Sequence, residues 1–231
     1  MNEELVSSGF LIGLTVVIYL ISKRLALRYP RAIWLMPVII APLAVLFLLW
    51  VFSISLDTYD LGTRSLLWFL GPATAAFAVP IYEQRGLIKK NALILCIGVS
   101  VGVGINLLAI LLWSQLFPLS EVMKKSMLAH SVSSPFAVVV SGHLEVEGNL
   151  AAILATFTGI FGMLVGELIL AILQIKDARV RGIMYGTNFS AVGTAKAMSI
   201  GHTEGVLSSL SMVLSGLLMI VVAPVLAYFF K

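Results

Sequence analysis

Long apolar runs constrain this chain more than any other feature. Ile33 to Leu56, Ala92 to Phe117, Leu150 to Ile175 and Val206 to Phe230 carry almost no charge. Each matches the ~20 residues that a helix needs to cross the hydrocarbon core of a bilayer. There, every backbone N–H and C=O needs a partner within the protein, which leaves helices and closed barrels as spanning structures. Barrel strands alternate apolar and polar side chains, whereas these runs are continuous and read as helices. The composition agrees, with 60% hydrophobic and 11% charged residues, against about 25% charged in soluble domains. The mean hydropathy is +1.05. With 15 basic and 11 acidic side chains in 231 residues, the chain cannot clothe a soluble core.

The expected architecture is therefore a single integral membrane domain over 1–231, all-α and polytopic. It has about six full spans and two interrupted ones. Besides the four runs above, spans are expected from Gly9 to Ile21, lengthening toward Tyr29, and from Ser65 to Tyr82. Pro37 and Pro42 should bend the early turns of the second span, and Pro72 and Pro80 should kink the third. The two weaker segments are Met123 to Val140, interrupted by Pro135, and the Gly/Ser/Thr-rich Gly182 to Ile200. The acidic start MNEELVSSGF lacks the basic segment of a secretory signal, so the first helix is expected to be retained. Cys96 stands alone in an apolar run, which excludes an intramolecular disulfide and a cysteine metal site and suggests a small buried hydrophobe.

Loop charges orient the layout. Lys23, Arg24, Arg28 and Arg31 follow the first span, Arg85, Lys89 and Lys90 the third, and Lys176, Arg179 and Arg181 the run ending at Ile175. These loops share one face only if Met123 to Gly148 returns to the face where it began, as a re-entrant or paired half-helix segment. The positive-inside rule then puts them in the cytoplasm and the N-terminus outside. The net charge of +4 is spent on orientation, so no nucleic-acid partner is expected.

Non-helical backbone at membrane depth is tolerated where it lines a cavity or is buried in protein, and carriers place substrate at such breaks. Two segments qualify. The first is His130-Ser131-Val132-Ser133-Ser134-Pro135. The second runs from Gly186 to Lys196 and holds Thr187, Asn188, Ser190, Gly193 and Thr194. Hydroxyls and backbone amides suit a small anion, and His130 and Lys196 would supply compensating charge. The same small residues also suit ordinary helix–helix contacts in membranes. Glu167, inside an apolar span, is a proton-coupling carboxylate, a structural partner of Lys196 or a residue placed near a helix end; His130 is a second candidate for proton coupling. Enzyme signatures are missing: there is no HExxH, no GxSxG, no phosphate-binding loop and no paired carboxylates. The expected chain is not an enzyme, and it holds no metal or cofactor.

At these motifs the chain resembles the LrgB/CidB/YohK family of bacterial membrane proteins, most clearly over residues 55–231. The resemblance rests on Asp57-x-Tyr59-x-x-Gly62, Leu70-Gly71-Pro72-Ala73 and Pro80-Ile81-Tyr82-Glu83-Gln84. It continues with Ser131-Val132-Ser133-Ser134-Pro135, Gly159-Ile160-Phe161-Gly162, Gly186-Thr187, Gly193-Thr194-Ala195-Lys196 and Glu204-Gly205. It implies a multi-pass protein of the bacterial cytoplasmic membrane, tied to control of murein hydrolase activity and autolysis. A small holin-like membrane partner of the LrgA/CidA type is implied. Relatives look like carriers of pyruvate, glycolate or glycerate. The implied function is thus a secondary carrier of a small monocarboxylate, or else a non-transporting, antiholin-like regulatory subunit. A homo-oligomer and an inverted repeat are compatible with either. The chain departs from the family pattern at His130 (family Lys), Ser190 (family His), Glu145 (family Gly) and Ser199 (family carboxylate), so cation and imidazole are rearranged.

Overall fold

The computed structural model describes residues 2–29, 35–69, 72, 75–76 and 78–229, and the described elements are helical. The chain packs as two compact units, 1–73 and 74–231.

The N-terminal unit contains α1 (Asn2–Arg28), α2 (Pro37–Val51), α3 (Leu56–Thr63) and a 3₁₀ turn, Arg64–Phe69. Ile18 of α1 packs on Val45 and Leu49 of α2. Thr15 shares a hydrogen bond with the Tyr59 hydroxyl at 2.9 Å, tying α1 to α3. A Cβ on Gly62 would stand 2.7 Å from Leu11 Cδ1, so glycine lets α3 lie close on α1. An apolar cavity of about 510 Å³ lies among these helices, bordered by Val16, Pro42, Val45 and Leu49.

Two expectations need correcting in this region. The run expected from Ile33 to Leu56 forms a helix of only 15 residues, or ~22 Å at 1.5 Å per residue. Pro37 starts it instead of bending it, in the first turn where a missing N–H costs nothing. Ser53, at φ 53°, ends it. The third expected span is also not one helix among the described residues. The 3₁₀ turn stops at Phe69, and a short helix α4 (Ala78–Glu83) contains Pro80. The bend expected between Pro72 and Pro80 falls largely outside the described residues. Four described helices are long and apolar enough to cross a membrane: 8–28, 85–116, 148–172 and 202–228.

The C-terminal unit continues with α5 (Arg85–Leu116), α6 (Glu121–Ala129), α7 (Ser134–Leu144), α8 (Gly148–Ile172), α9 (Ala178–Ile200) and α10 (His202–Phe229). Cys96 is exposed on α5, which overturns its reading as a buried hydrophobe: the inward positions of that stretch are Leu95 and Val99.

Helix α9 is two arms joined at Ser190, whose φ 54° and ψ −137° break the helix. In a straight helix, Gly186 and Thr194 would stand ~12 Å apart along the axis. Both instead touch Ser208. A Cβ on Gly186 would overlap the Ser208 carbonyl, and Thr194 Oγ1 lies 3.0 Å from Ser208 Oγ. The first arm runs parallel to α10 (Gly182 at Glu204, Gly186 at Ser208), and the second runs back (Thr194 at Met212, Met198 at Gly205). Residues 178–200 therefore form a helical hairpin. Its arms descend together along α8, with Phe189 at Gly159, Met184 at Gly166 and Lys196 at Glu167.

Helices α6 and α7, which come earlier in the chain, form the first hairpin, and residues 178–200 form the second. Ser134 meets Thr156, while Gly148 lies at Ser141 and Val138, so α7 runs antiparallel to α8. Helix α5 passes Thr187 at Gly102 and runs on to Leu116, which brings its end to the Gly148 end of α8. From there α6 must lead back toward Ser134. The two hairpins thus open toward opposite ends of α8 and turn beside its middle, at Thr156 and Gly159. That separation is ~4.5 Å along the axis.

Candidate functional site

The turn of the first hairpin starts where α6 ends. His130 is its C-cap, and its Nδ1 bonds the Met127 carbonyl, leaving Nε2 as the ring's second polar atom. Ser131 donates to the Leu128 carbonyl at 2.9 Å. Ser133 is the N-cap of α7, yet its hydroxyl makes no cap bond. An N-cap oxygen bonds the N–H of the second or third helical residue; the second here is Pro135, which has none, and the Phe136 N–H of the third is not bonded to Ser133 Oγ. Ser133 Oγ is buried and without a partner. The first turn also leaves the Ser134 and Phe136 N–H groups without intrahelical acceptors, at the positive end of the helix dipole.

Ser134 is the fixed point of this turn: its hydroxyl lies 3.2 Å from Thr156 Oγ1 and 3.5 Å from the Ala152 carbonyl. Val132, Phe136 and Ala137 sink into the main apolar cluster with Val99, Val103, Met212 and Val213.

The second turn is built differently. Thr187 is 1% exposed, with an unpartnered hydroxyl, while its Cγ2 rests where a side chain on Gly102 would be. Asn188 is exposed and donates to the Met184 carbonyl at 3.3 Å. Ser190 adopts a left-handed conformation that non-glycine residues hold only at a cost of ~1–3 kcal/mol. The second arm begins just after it, so this arm's N-terminal end also lies at the middle of α8. Thr194 is committed to Ser208. Gly186 and Gly193 are needed because Cβ atoms there would overlap the Ser208 and Tyr185 carbonyls.

Lys196 does not stand free. It pairs with Glu167 at 3.2 Å, the two side chains being 19% and 43% exposed. The structure thus forms the Glu167–Lys196 pair, one of the readings the sequence left open for Glu167. Among the described residues, no His/Cys/Asp/Glu group could hold a metal.

The predicted residues therefore fall into distinct sets. Ser133 and Thr187, one from each hairpin, keep buried hydroxyls free. An unpaired buried hydroxyl costs ~1–3 kcal/mol, and Ser126 on α6 and Tyr185 on the first arm of α9 share this condition. Ser131, Ser134 and Thr194 hold the turns together, and Asn188 faces outward. Sequence reasoning missed Thr156, which receives Ser134. It also missed Phe189, whose ring lies on Gly162 and Gly166 of α8. The spacing of Gly159, Gly162 and Gly166 on one helix face was the only available signal, and nothing local connects it to Phe189.

The fold and these turns define a multi-pass α-helical membrane protein with two turned-back hairpins beside a central helix. The LrgB-like family profile matches residues 15–229, and the chain belongs to that family. It is 32% identical to YwbG of Bacillus subtilis (strain 168) over 219 residues, covering 94% of this chain and 96% of YwbG. It is 30% identical to the holin-like protein CidB of Staphylococcus aureus (strain Mu50) over 228 residues, covering 99% of each. YxaC of Bacillus subtilis (strain 168) is 29% identical over 220 residues, covering 95% of each chain. No solved structure matches the chain.

Proposed function

We propose that this protein is a secondary carrier of a small monocarboxylate of the pyruvate, lactate or glycolate type, which it grips between its two hairpin turns. One observation carries the reading: two hairpins from opposite ends of α8 bring two helix N-termini and two buried unpartnered hydroxyls, Ser133 and Thr187, to its middle. Helix N-termini attract anions through their free N–H groups and dipole. Discontinuous helices turning at mid-membrane are how many carriers build such a site.

His130 would supply charge at the first turn, and Lys196, paired with Glu167, would supply it further along the second arm, ~9 Å from Ser190. The opposed hairpins are consistent with an inverted repeat. Basic residues gather at the end of α8 where the second hairpin opens (Lys176, Arg179, Arg181). Acidic Glu145 and Glu147 mark the other end. By the positive-inside rule the second hairpin would open to the cytoplasm and the first to the outside, with an N-terminus outside and residence in the cytoplasmic membrane.

The test is uptake of labelled pyruvate, lactate and glycolate into proteoliposomes, with and without a pH gradient. Saturable uptake that falls at least tenfold in Ser133→Ala and Thr187→Val is expected. Absence of uptake of all three by folded protein overturns the reading. The holin-like name of CidB favours a second reading, a subunit that regulates a small holin-like membrane partner and, through it, murein hydrolase activity and autolysis. An autolysis phenotype that survives both hydroxyl substitutions at unchanged protein level would favour this alternative.

A further inference from the structure

The two turns are seated on α8 in different ways, and the difference identifies which one can move. The first is pinned. Ser134 bonds Thr156 and approaches the Ala152 carbonyl, and Phe136, 2% exposed, fills the space over Gly216. The second rests on a trough. Gly159, Gly162 and Gly166 stand at i, i+3 and i+7, on one face of α8. A Cβ on Gly162 would lie 2.6 Å from the Phe189 ring, and one on Gly166 would overlap it. Gly159 faces the Phe189 carbonyl at 3.2 Å. The trough runs ~10 Å along the helix, with no side chain of its own to interlock with the ring. No hydrogen bond joins Phe189, Ser190 or Ala191 to α8 among the described residues. The polar tie between this hairpin and α8 is the partly exposed Glu167–Lys196 pair, well away from the turn. Thr187, with its free hydroxyl, is two residues before Phe189, and Ser190, with its strained backbone, is the next residue.

We infer that Phe189 is the positioning residue of the candidate site: its ring, running in the glycine trough of α8, sets where Thr187 and Ser190 stand and makes the second hairpin the part that opens. This rests on reading the two turns as a carrier's site. The trough lets the ring slide where an interlocking side chain would stop it, and the strain at Ser190 lowers the cost of leaving the closed position. The first turn, hydrogen-bonded to α8 through Ser134, remains in place. Ring removal should therefore loosen the second turn and leave the first unchanged.

The experiment uses full-length protein in which Cys96 is replaced by Ala. In Gly159→Cys/Val192→Cys, the two Cβ positions are 3.7 Å apart, within the ~3.5–4.5 Å that a disulfide spans. The control lock is Ser141→Cys/Gly148→Cys at the base of the first hairpin, where a Cβ on Gly148 lies 3.2 Å from Ser141 Oγ. Oxidation of the first pair should cut monocarboxylate uptake at least tenfold, reversibly with reductant. Oxidation of the control pair should leave uptake within twofold. In parallel, amide exchange followed by mass spectrometry in lipid nanodiscs should quicken at least tenfold over residues 186–193 in Phe189→Ala, with no change over 131–135. Phe189→Leu should restore most of the protection.

Uptake that survives the 159–192 lock, or that both locks abolish equally, overturns the inference while leaving the carrier reading intact. If the unlocked protein transports none of the three acids, the carrier reading falls and the exchange result alone decides. Equal loosening of both turns in Phe189→Ala, or loosening of neither, then overturns the inference.

Discussion

The two hairpins reach the same level of α8 by opposite kinds of packing. The first is held by side chains: Phe136, Ala137 and Val140 are buried in one apolar cluster with residues of α5, α8 and α10. Its turn is fixed by proline and by the Ser134–Thr156 hydrogen bond. The second is held by missing side chains. Gly182, Gly186 and Gly193 bring its backbone against Glu204, Ser208 and Tyr185, and the glycines of α8 make room for Phe189. Side-chain packing in a core resists displacement because every shift opens a void. Backbone laid on backbone gains dispersion contacts with less interlocking, the packing typical of small residues between membrane helices. One chain thus holds one hairpin by interlocking side chains and the other by backbone contact at glycines.

Its sharpest test is Phe136→Ala. Emptying that position should destabilise the unit by about 4 kcal/mol, read as an earlier midpoint in denaturant unfolding of the detergent-solubilised protein. The counterpart in the second hairpin is Gly186→Ala. Its methyl group would overlap the Ser208 carbonyl, a backbone atom that cannot rotate away, and about 3 kcal/mol of stability should be lost. If Gly186→Ala is harmless, the description of the second hairpin as backbone-packed is wrong.

Ser190→Gly should act the other way, raising stability by about 1 kcal/mol because glycine tolerates φ 54° and ψ −137°. A loss of stability there would mean that the serine hydroxyl contributes more than the strain costs. Thr187→Val removes a hydroxyl that has no partner, so stability should stay level or rise by about 1 kcal/mol. A tenfold fall in uptake alongside unchanged unfolding would separate binding from folding.

The smallest effect concerns the entry to the second hairpin. Asp177 caps α9 by accepting from the Arg179 N–H, and it pairs with the Arg179 guanidinium at 2.8 Å. These contacts hold its carboxyl at about 2, below its ordinary 3.8. A depressed carboxyl stabilises the fold fully above its unfolded value, and that contribution fades as pH falls through about 2. Thermal unfolding should therefore show no dependence on this group between pH 5 and 7, in ~0.1 M salt or less. Asp177→Asn should lower the midpoint slightly at pH 7 and converge with the parent below pH 2.

Much of this was legible in the chain. The apolar runs at 92–117, 150–175 and 206–230 became α5, α8 and α10, because a helix of sufficient apolar length needs no tertiary information to be recognised. The two breaks were legible because Pro135 and the Gly186–Gly193 stretch are locally incompatible with an uninterrupted packed span. Pairing of Glu167 with Lys196 was one of three alternatives that the sequence left open. What failed was local apolarity as a guide to span length: Pro37 and Ser53 cut the second run to 15 residues. Cys96 failed for a related reason, since within a uniformly apolar helix hydropathy cannot tell the inward face from the outward one.

The sequence alone determined membrane residence, the helical class, the two interrupted segments and the family. The first three follow from composition or from bonds between residues near in the chain, and the family from the order of its motifs. Only the tertiary structure decided that residues 178–200 double back, that Ser134 meets Thr156, and that Phe189 lies on glycines some 25 residues earlier. It also decided which hydroxyls are spent and which are left free. A hydroxyl's partner is a matter of distance in space, and glycines on one helix advertise a space without naming what fills it.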